Sequence, residues 1–203
     1  NPDGSYTSNS GCGNDVATTR KMARKLIVDS IHYWVEEYKI DGFRFDLMGL
    51  MDAETVLEGY KKASQVDEKA DVLFEGEGWK MYNGPAGTVG MDQNYMTKTD
   101  DVAVFNDEIR DLLKAGGFNE EGNGFITKQD KSDKTLFLNH IGQPQSNYSA
   151  DDPGDNINYL VCHDGLTLHD SITHNCGLKE EQDREEIVSR IKLGNFFALT
   201  TQS

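Results

Sequence analysis

The chain has 203 residues, which is enough for one domain and short for two. Its 20 Lys and Arg residues stand against 35 Asp and Glu residues, giving a formal net charge of −15. This excess of acid argues against binding to nucleic acid through phosphate contacts or to an anionic membrane surface. No apolar run approaches the roughly 18 residues that a membrane span needs, so we expect no membrane insertion.

Helices and strands alternate along the predicted chain. Apolar residues at three- and four-residue steps predict amphipathic helices at 16–38, 53–64, 107–114 and 181–200. Short apolar runs predict strands at 43–47, 72–74, 102–105 and 158–162. This order predicts an α/β fold with a parallel sheet, and the absence of a clear linker predicts a single domain over 1–203.

Two long segments, 78–101 and 116–157, show no sustained periodicity and are predicted to be irregular, with weak helix mixed into 116–135. They exceed the usual connection of about 4–6 residues, and long loops in α/β domains tend to carry function. The three cysteines, Cys12, Cys162 and Cys176, are an odd number and do not indicate a disulfide framework.

Three acidic residues lie at the carboxyl ends of predicted strands: Asp46, Glu77 and Asp164. In parallel α/β folds this edge of the sheet is where ligands bind. Carboxylates that converge on one cleft are what glycoside hydrolysis needs, one kept ionised and one kept protonated. The sequence therefore indicates a candidate glycosidase site.

The neighbours of these acids have both structural and functional interpretations. Strand periodicity places Arg44 and Asp46 on one face, as a structural ion pair or as part of a site. Glu77 lies between two glycines and before Trp79, whose flat ring could stack on a sugar, but Glu75 has the same strand parity. The His163–Asp164 pair could be a capping turn or could face a substrate.

Three motifs carry a resemblance to a known family. DGFRFDLM at 41–48, FEGEGW at 74–79 and NYLVCHD at 158–164 resemble the fourth-, fifth- and seventh-strand motifs of the α-amylase superfamily of glycoside hydrolases (family 13). Stretches at 105–107 and 148–155 resemble the debranching branch of that superfamily, which includes type I pullulanases, isoamylases and glycogen-debranching enzymes.

The resemblance implies a role for each candidate residue. Asp46 would be the nucleophile, Glu77 the general acid and base, and Asp164 the stabiliser of the transition state. The resemblance also implies that Arg44 holds Asp46 ionised and that His163 binds the sugar. The reaction would retain the anomeric configuration, with the two carboxyl groups about 5–5.5 Å apart.

The resemblance also implies a partial (β/α)8 barrel that covers roughly strands four to seven. The third-strand motif would precede Asn1 and the eighth strand would follow Ser203, so the barrel domain would be truncated at both ends. Because such a barrel leaves two edges and an open apolar interior, we expect the chain to be neither stable nor active alone.

Leu47-Met48-Gly49 stands where many α-amylases carry Lys-His, which favours α-1,6 cleavage of pullulan, starch or glycogen. An α-1,4-acting amylase or neopullulanase, and a non-catalytic carbohydrate-binding homologue, stay open as alternatives. Cys162 replaces a residue that is commonly polar or small in the family, and we expect it to be buried and inert.

Two other chemistries are weighed against this interpretation. A zinc hydrolase would draw on the cluster of potential ligands formed by Cys162, His163, Asp164, His169, His174 and Cys176, whose spacing fits no familiar zinc motif. A nucleotide-binding domain would draw on Gly76 and Gly78, which form only a weak Gly-x-Gly pattern.

The expected partner is an α-glucan polysaccharide, bound by a monomer. No cofactor is required by glycoside hydrolysis, although the acidic stretch 151–155 could bind a structural calcium ion. The localisation stays open, with an extracellular or cell-surface bacterial position favoured over a cytoplasmic one.

Overall fold

The described elements alternate between strands and helices, as the sequence predicts. The computed structural model describes residues 3–66, 72–115 and 120–203. The strands are β1 Gly42–Phe45, β2 Leu73–Gly76, β3 Ala103–Asn106 and β4 Asn156–Asn158. The helices are α1 Lys21–Tyr38, α2 Ala53–Ser64, α3 Asp107–Leu113, α4 Asp133–His140, α5 Leu168–Cys176 and α6 Glu180–Thr200. The α/β class is therefore confirmed.

The strands form a sheet in the order β1-β2-β3-β4. β1 and β2 are parallel, with Phe43 opposite Phe74 and Phe45 opposite Gly76, and β2 and β3 are parallel as well. The predicted parallel sheet is confirmed for these strands. The chain divides into two compact units, Asn1–Val104 and Phe105–Ser203, which are described separately below.

In the first unit, α1 and α2 pack against one another beside the strands. Helix α1 begins later than the predicted residue 16, because residues 16–20 form turns and Val16 is exposed. Gly59 of α2 allows the close approach of α1, since a Cβ at this position would lie 2.7 Å from Cδ1 of Ile31. Phe74 of β2 is almost fully buried in the same unit.

Helix α2 has the bounds that the sequence predicts, and its N-terminus explains why. The carboxylate of Asp52 accepts the backbone N–H of Thr55, which caps the helix, and the same side chain pairs with Arg24 at 2.9 Å. A capping acid stabilises the free N–H groups at a helix start by about 1 kcal/mol. The capping side chain of Asp52 and the apolar periodicity therefore place the start of this helix at the same residue.

The second unit is built around one apolar cluster. Its buried members are Ile109, Leu113, Ile126, Leu160, Leu168 and Ile172. Helix α6 approaches this cluster closely at Gly194, where a Cβ would lie 3.0 Å from side-chain carbons of both Ile126 and Leu160. The predicted helix at 181–200 is confirmed, with one additional residue at its start.

Two predictions for the second unit are wrong. The strand predicted at 158–162 is β4, which ends at Asn158, because Leu160 turns into the apolar cluster instead of continuing a ladder. Cys162 follows in the loop beyond β4 and is exposed, not buried. Helix α5 lies in sequence where no helix is predicted, and α4 begins at the end of the weakly helical stretch 116–135 and continues beyond it.

None of the described helices is both long enough and apolar enough to cross a membrane.

Candidate active site

The first candidate carboxylate follows directly after β1. Asp46 leaves the strand with 71% of its side chain exposed, and its Oδ1 accepts a hydrogen bond of 2.6 Å from Nη1 of Arg44. Arg44 lies in β1 itself, so the strand fixes the guanidinium relative to the acid that follows it. Arg44 and Asp46 therefore form an ion pair, as their shared strand face allows.

The second candidate carboxylate follows directly after β2. Only 7% of the Glu77 side chain is exposed, and its Oε1 lies 2.9 Å from Nη2 of Arg44. Its other oxygen, Oε2, accepts the backbone N–H of Leu47 at 2.7 Å. A carboxylate buried to this degree needs such partners, because an unpaired charge out of water is costly.

One guanidinium therefore connects both acids. Arg44 contacts Asp46 through Nη1 and Glu77 through Nη2, and oxygens of the two carboxylates lie within 4.8 Å of each other. Burial lowers the pKa of Arg44, but the hydrogen bonds and charges of Asp46 and Glu77 outweigh burial and raise it overall. A planar, permanently charged fork can hold two carboxylates at a fixed separation.

Glu75 and Glu77, which strand parity cannot distinguish, have different surroundings. Glu75 lies within β2 opposite Arg44, and burial raises the pKa of its carboxyl group, with Arg44 acting in the opposite direction. Glu77 alone of the two forms an ion pair with Arg44 and accepts the Leu47 amide among the described contacts. The geometry favours Glu77 as the partner of Asp46.

The glycines on either side of Glu77 serve packing within the first unit. A Cβ on Gly76 would lie 2.7 Å from the backbone oxygen of Phe45, and a Cβ on Gly78 would lie 2.3 Å from Cγ1 of Val104. Neighbouring strands fill these positions, so this Gly-x-Gly pair is explained without a phosphate cradle. Trp79 follows with a half-buried side chain.

The candidate residues of the second unit lie in the loop between β4 and α5. Nε2 of His163 and Oδ2 of Asp164 are 3.6 Å apart, with 60% and 68% of the side chains exposed. The loop is flanked by Gly165, whose φ of +81° is a conformation that glycine adopts readily. Both groups are therefore accessible to a ligand.

A buried polar network fixes the strands behind this loop, and sequence reasoning missed it. Nδ2 of Asn106, at the end of β3, donates to Oδ1 of Asn158 at 2.8 Å, and Nη1 of Arg110 donates to the Tyr159 hydroxyl at 2.8 Å. Burial raises the pKa of Tyr159 despite the opposing effect of Arg110, so the phenol stays protonated as an acceptor for this cation. A signal was present, since Asn106 lies in the stretch 105–107 and Asn158 and Tyr159 lie in the motif 158–164, both noted above.

Comparison with known proteins identifies the family. Pullulanase A of Streptococcus pneumoniae is 43% identical over 196 residues, which are 94% of this chain and 15% of that protein. The structure of the Group B Streptococcus pullulanase SAP in complex with maltotetraose matches with a TM-score of 0.89 at 41% identity, over 94% of this chain and 24% of that one. The chain is a homologue of the pullulanases and spans about a quarter or less of the length of these two relatives.

A third match extends this result to a different genus. The type I pullulanase of Bacillus subtilis, crystallised with maltose, matches all of this chain and 28% of its own at 30% identity and a TM-score of 0.89. No protein-family model matches the chain. The resemblance to the debranching branch of the α-amylase superfamily is confirmed, and the fold is consistent with part of a barrel. These relatives are bacterial.

The zinc interpretation has no geometric support in this pullulanase homologue. No three of the six potential ligands bring their donor atoms within 4.8 Å of one another, in the part of the chain that the structure describes. His169 instead lies 2.8 Å from Oε2 of Glu180 and 3.1 Å from Oδ1 of Asp170, and the hydrogen bond to Glu180, followed by that to Asp170, raises the pKa of its imidazole.

The acidic stretch 151–155 forms a self-capped turn. Oδ2 of Asp155 accepts the backbone N–H groups of Asp151 and Asp152 at 3.2 Å, and Asp152 in turn caps Gly154. Asp155 is 1% exposed, and burial is the main cause that raises the pKa of its carboxyl group to about 6. These contacts explain the acids as parts of the turn, and calcium binding stays a prediction.

Proposed function

We propose that the protein carrying this chain is a retaining glycoside hydrolase that cleaves α-1,6 branch linkages in pullulan, starch or glycogen. The observation that carries the proposal is the pair of carboxylates, Asp46 and Glu77, joined by Arg44 with oxygens within 4.8 Å. Retaining glycosidases need their two carboxyl groups about 5–5.5 Å apart, whereas inverting ones need about 6.5–9.5 Å to admit water. The short separation supports double displacement.

In the first step, an oxygen of Asp46 attacks the anomeric carbon and forms a covalent glycosyl ester. The bond from that carbon to the glycosidic oxygen breaks, and protonated Glu77 gives its proton to the departing sugar hydroxyl. Asp46 suits the attack because 71% of its side chain is exposed while Nη1 of Arg44 holds its Oδ1. The guanidinium orients this carboxylate through the hydrogen bond from Nη1.

In the second step, ionised Glu77 takes a proton from water and the resulting hydroxyl attacks the anomeric carbon. The ester bond to Asp46 breaks, and both side chains return to their starting charges once Glu77 holds the proton. The resting geometry supports the base role, since Glu77 accepts hydrogen bonds from Arg44 and from the Leu47 amide. Glu77 is the one side chain in this reaction sequence that exchanges a proton, with the departing sugar oxygen in the first step and with water in the second.

The remaining candidates would act on the sugar. We infer that Asp164 binds ring hydroxyls and stabilises the positive charge of the transition state, and that His163 donates a hydrogen bond to the same sugar. Their high exposure supports roles that are completed by substrate. Trp79, two residues after the proposed acid, offers an aromatic face for stacking.

The proposal is tested with the whole natural protein and its Asp46→Asn variant, by measuring reducing sugar released from pullulan and from amylose. Release of maltotriose from pullulan by the natural protein, at a rate that falls by about 10⁴-fold or more in the variant, would support a debranching enzyme with Asp46 as nucleophile. Activity on amylose alone would replace the proposal by an α-1,4-acting enzyme. Binding of either glucan without hydrolysis would indicate a carbohydrate-binding homologue.

A further inference from the structure

The segment that follows Asp46 has an unusual backbone. We name residues Leu47, Met48 and Gly49 the 47–49 turn. The turn follows Asp46, and its last two residues are the first two of a short 3₁₀ helix, Met48–Leu50. Leu47 has φ 44° and ψ 44°, the left-handed conformation that a leucine rarely adopts. Such a conformation persists only where surrounding contacts enforce it.

Those contacts converge on a single residue of the neighbouring segment. The backbone N–H of Glu77 donates to the Phe45 oxygen at 3.1 Å, and the Glu77 oxygen accepts the N–H of Gly49 at 2.8 Å. Between them, the Leu47 N–H donates to the Glu77 side chain at 2.7 Å. Residues on both sides of Asp46 are therefore bonded to Glu77.

Close packing fixes the far end of the turn. Gly49 is buried, and a Cβ at this position would lie 1.8 Å from the backbone oxygen of Trp79. Met48 is fully buried, and a Cβ on Gly76 would lie 2.9 Å from the Met48 Cβ. The turn can neither slide nor rotate without breaking these contacts.

We propose that the 47–49 turn is a positioning device that sets the separation of Asp46 and Glu77, with the Leu47 amide holding the acid and base carboxylate in place. The inference rests on the proposed hydrolysis. It assigns to Leu47 a role through its backbone, which differs from any contribution of this segment to linkage specificity. A misplacement of about 1 Å between reacting groups can cost about 10²-fold in rate.

The test replaces Leu47 by its α-hydroxy acid through nonsense suppression in the whole natural protein. The resulting ester keeps the side chain and removes only the N–H. We expect kcat on pullulan to fall between about tenfold and a hundredfold while KM changes less than about threefold. Because the Glu77 carboxylate loses a hydrogen-bond donor, the high-pH limb of the kcat/KM profile should move to higher pH.

The matched control is the same ester substitution at Ala53. Its N–H donates to the backbone oxygen of Val89 at 2.9 Å, so this variant also loses one backbone N–H donor but leaves Glu77 untouched. A Leu47 ester whose pH profile and kcat equal those of the Ala53 ester would overturn the inference and leave the proposed function intact. Absence of hydrolysis by the wild-type protein would overturn both.

If the Leu47 ester does not fold, two conventional variants decide the question. Valine is strongly disfavoured at positive φ, whereas glycine is suited to it, and both retain the N–H. We expect Leu47→Val to lose far more kcat than Leu47→Gly, with the pH limb displaced only for valine. Equal losses, or a larger loss for glycine, would show that the side chain matters and would overturn the inference.

Discussion

The two units hold their candidate residues in opposite ways. In the first unit, Glu77 is 7% exposed and bonded to Arg44 and to the Leu47 amide, so its position is set before any ligand arrives. In the second unit, His163 and Asp164 are mostly exposed, and their side chains are 3.6 Å apart. The group that is proposed to exchange protons is therefore held in place in advance, whereas the groups proposed to bind the sugar are left accessible to it.

The largest expected effect comes from replacing Glu77, the buried carboxylate of the first unit. We predict that Glu77→Gln lowers kcat on pullulan by about 10³- to 10⁴-fold, since the departing hydroxyl loses its proton donor. On an aryl α-maltotrioside with a good leaving group, the same variant should lose much less activity in the first step, measured as the burst of released phenol. Glu75→Gln is the control, and a loss as large as that of Glu77→Gln would assign the acid role to Glu75.

A somewhat smaller effect is expected from replacing Asp164, the exposed carboxylate of the second unit. Asp164→Asn keeps the shape of the side chain but removes the charge that would face the transition state. We predict that kcat/KM on pullulan falls by about 10²- to 10³-fold, mostly through kcat, because interactions made only in the transition state affect kcat. A loss confined to KM would instead make Asp164 a ground-state binding group.

The link between the two acids can be broken with little change in charge. Lysine has a single charged nitrogen and cannot reach both carboxylates as a planar fork does, so we predict that Arg44→Lys lowers kcat by about 10²-fold. Arg24→Lys is the matched control, since Arg24 pairs with buried Asp52 in the same unit. That variant should lower the melting temperature and keep kcat, and equal kcat losses would contradict the prediction.

The smallest effect concerns stability alone. The pKa of Asp155 is raised to about 6, so its folded form binds a proton that the unfolded form has released, and stability is lost as pH rises from about 4 to 6. Asp155→Asn should remove this loss. We predict that the variant gains about 2 kcal/mol over wild type at pH 8 and little at pH 4, measured by thermal unfolding. An equal gain at both pH values would contradict the assignment.

The sequence predicts the acids and the arginine of the first unit but not what holds them. Asp46 and Glu77 are visible because they are acids at the ends of predicted strands, and Arg44 is visible because strand periodicity places it on the same face as Asp46. The Leu47 amide is invisible, since any residue except proline supplies an N–H and only the backbone conformation aims it at Glu77.

The same limit explains the errors of element prediction. Helix α2 was predicted with its observed bounds because a capping acid and a clear apolar face coincide there. Helix α5 was missed because its nine residues include two histidines and few apolar side chains, although Thr167 caps its start by accepting the N–H of Asp170. The strand predicted at 158–162 is too long because Leu160 is apolar for packing in the cluster of the second unit and not for strand pairing.

The bond between the Leu47 amide and the Glu77 carboxylate also has a consequence for solvent exchange. Amide protons in turns usually exchange quickly, but this one is bonded to an acceptor that is only 7% exposed. In hydrogen–deuterium exchange, the amide of Leu47 should therefore keep its hydrogen much longer than the amides of a surface turn. Its exchange rate reports how often the Asp46–Glu77 arrangement opens, and this can be read in the resting protein without any glucan.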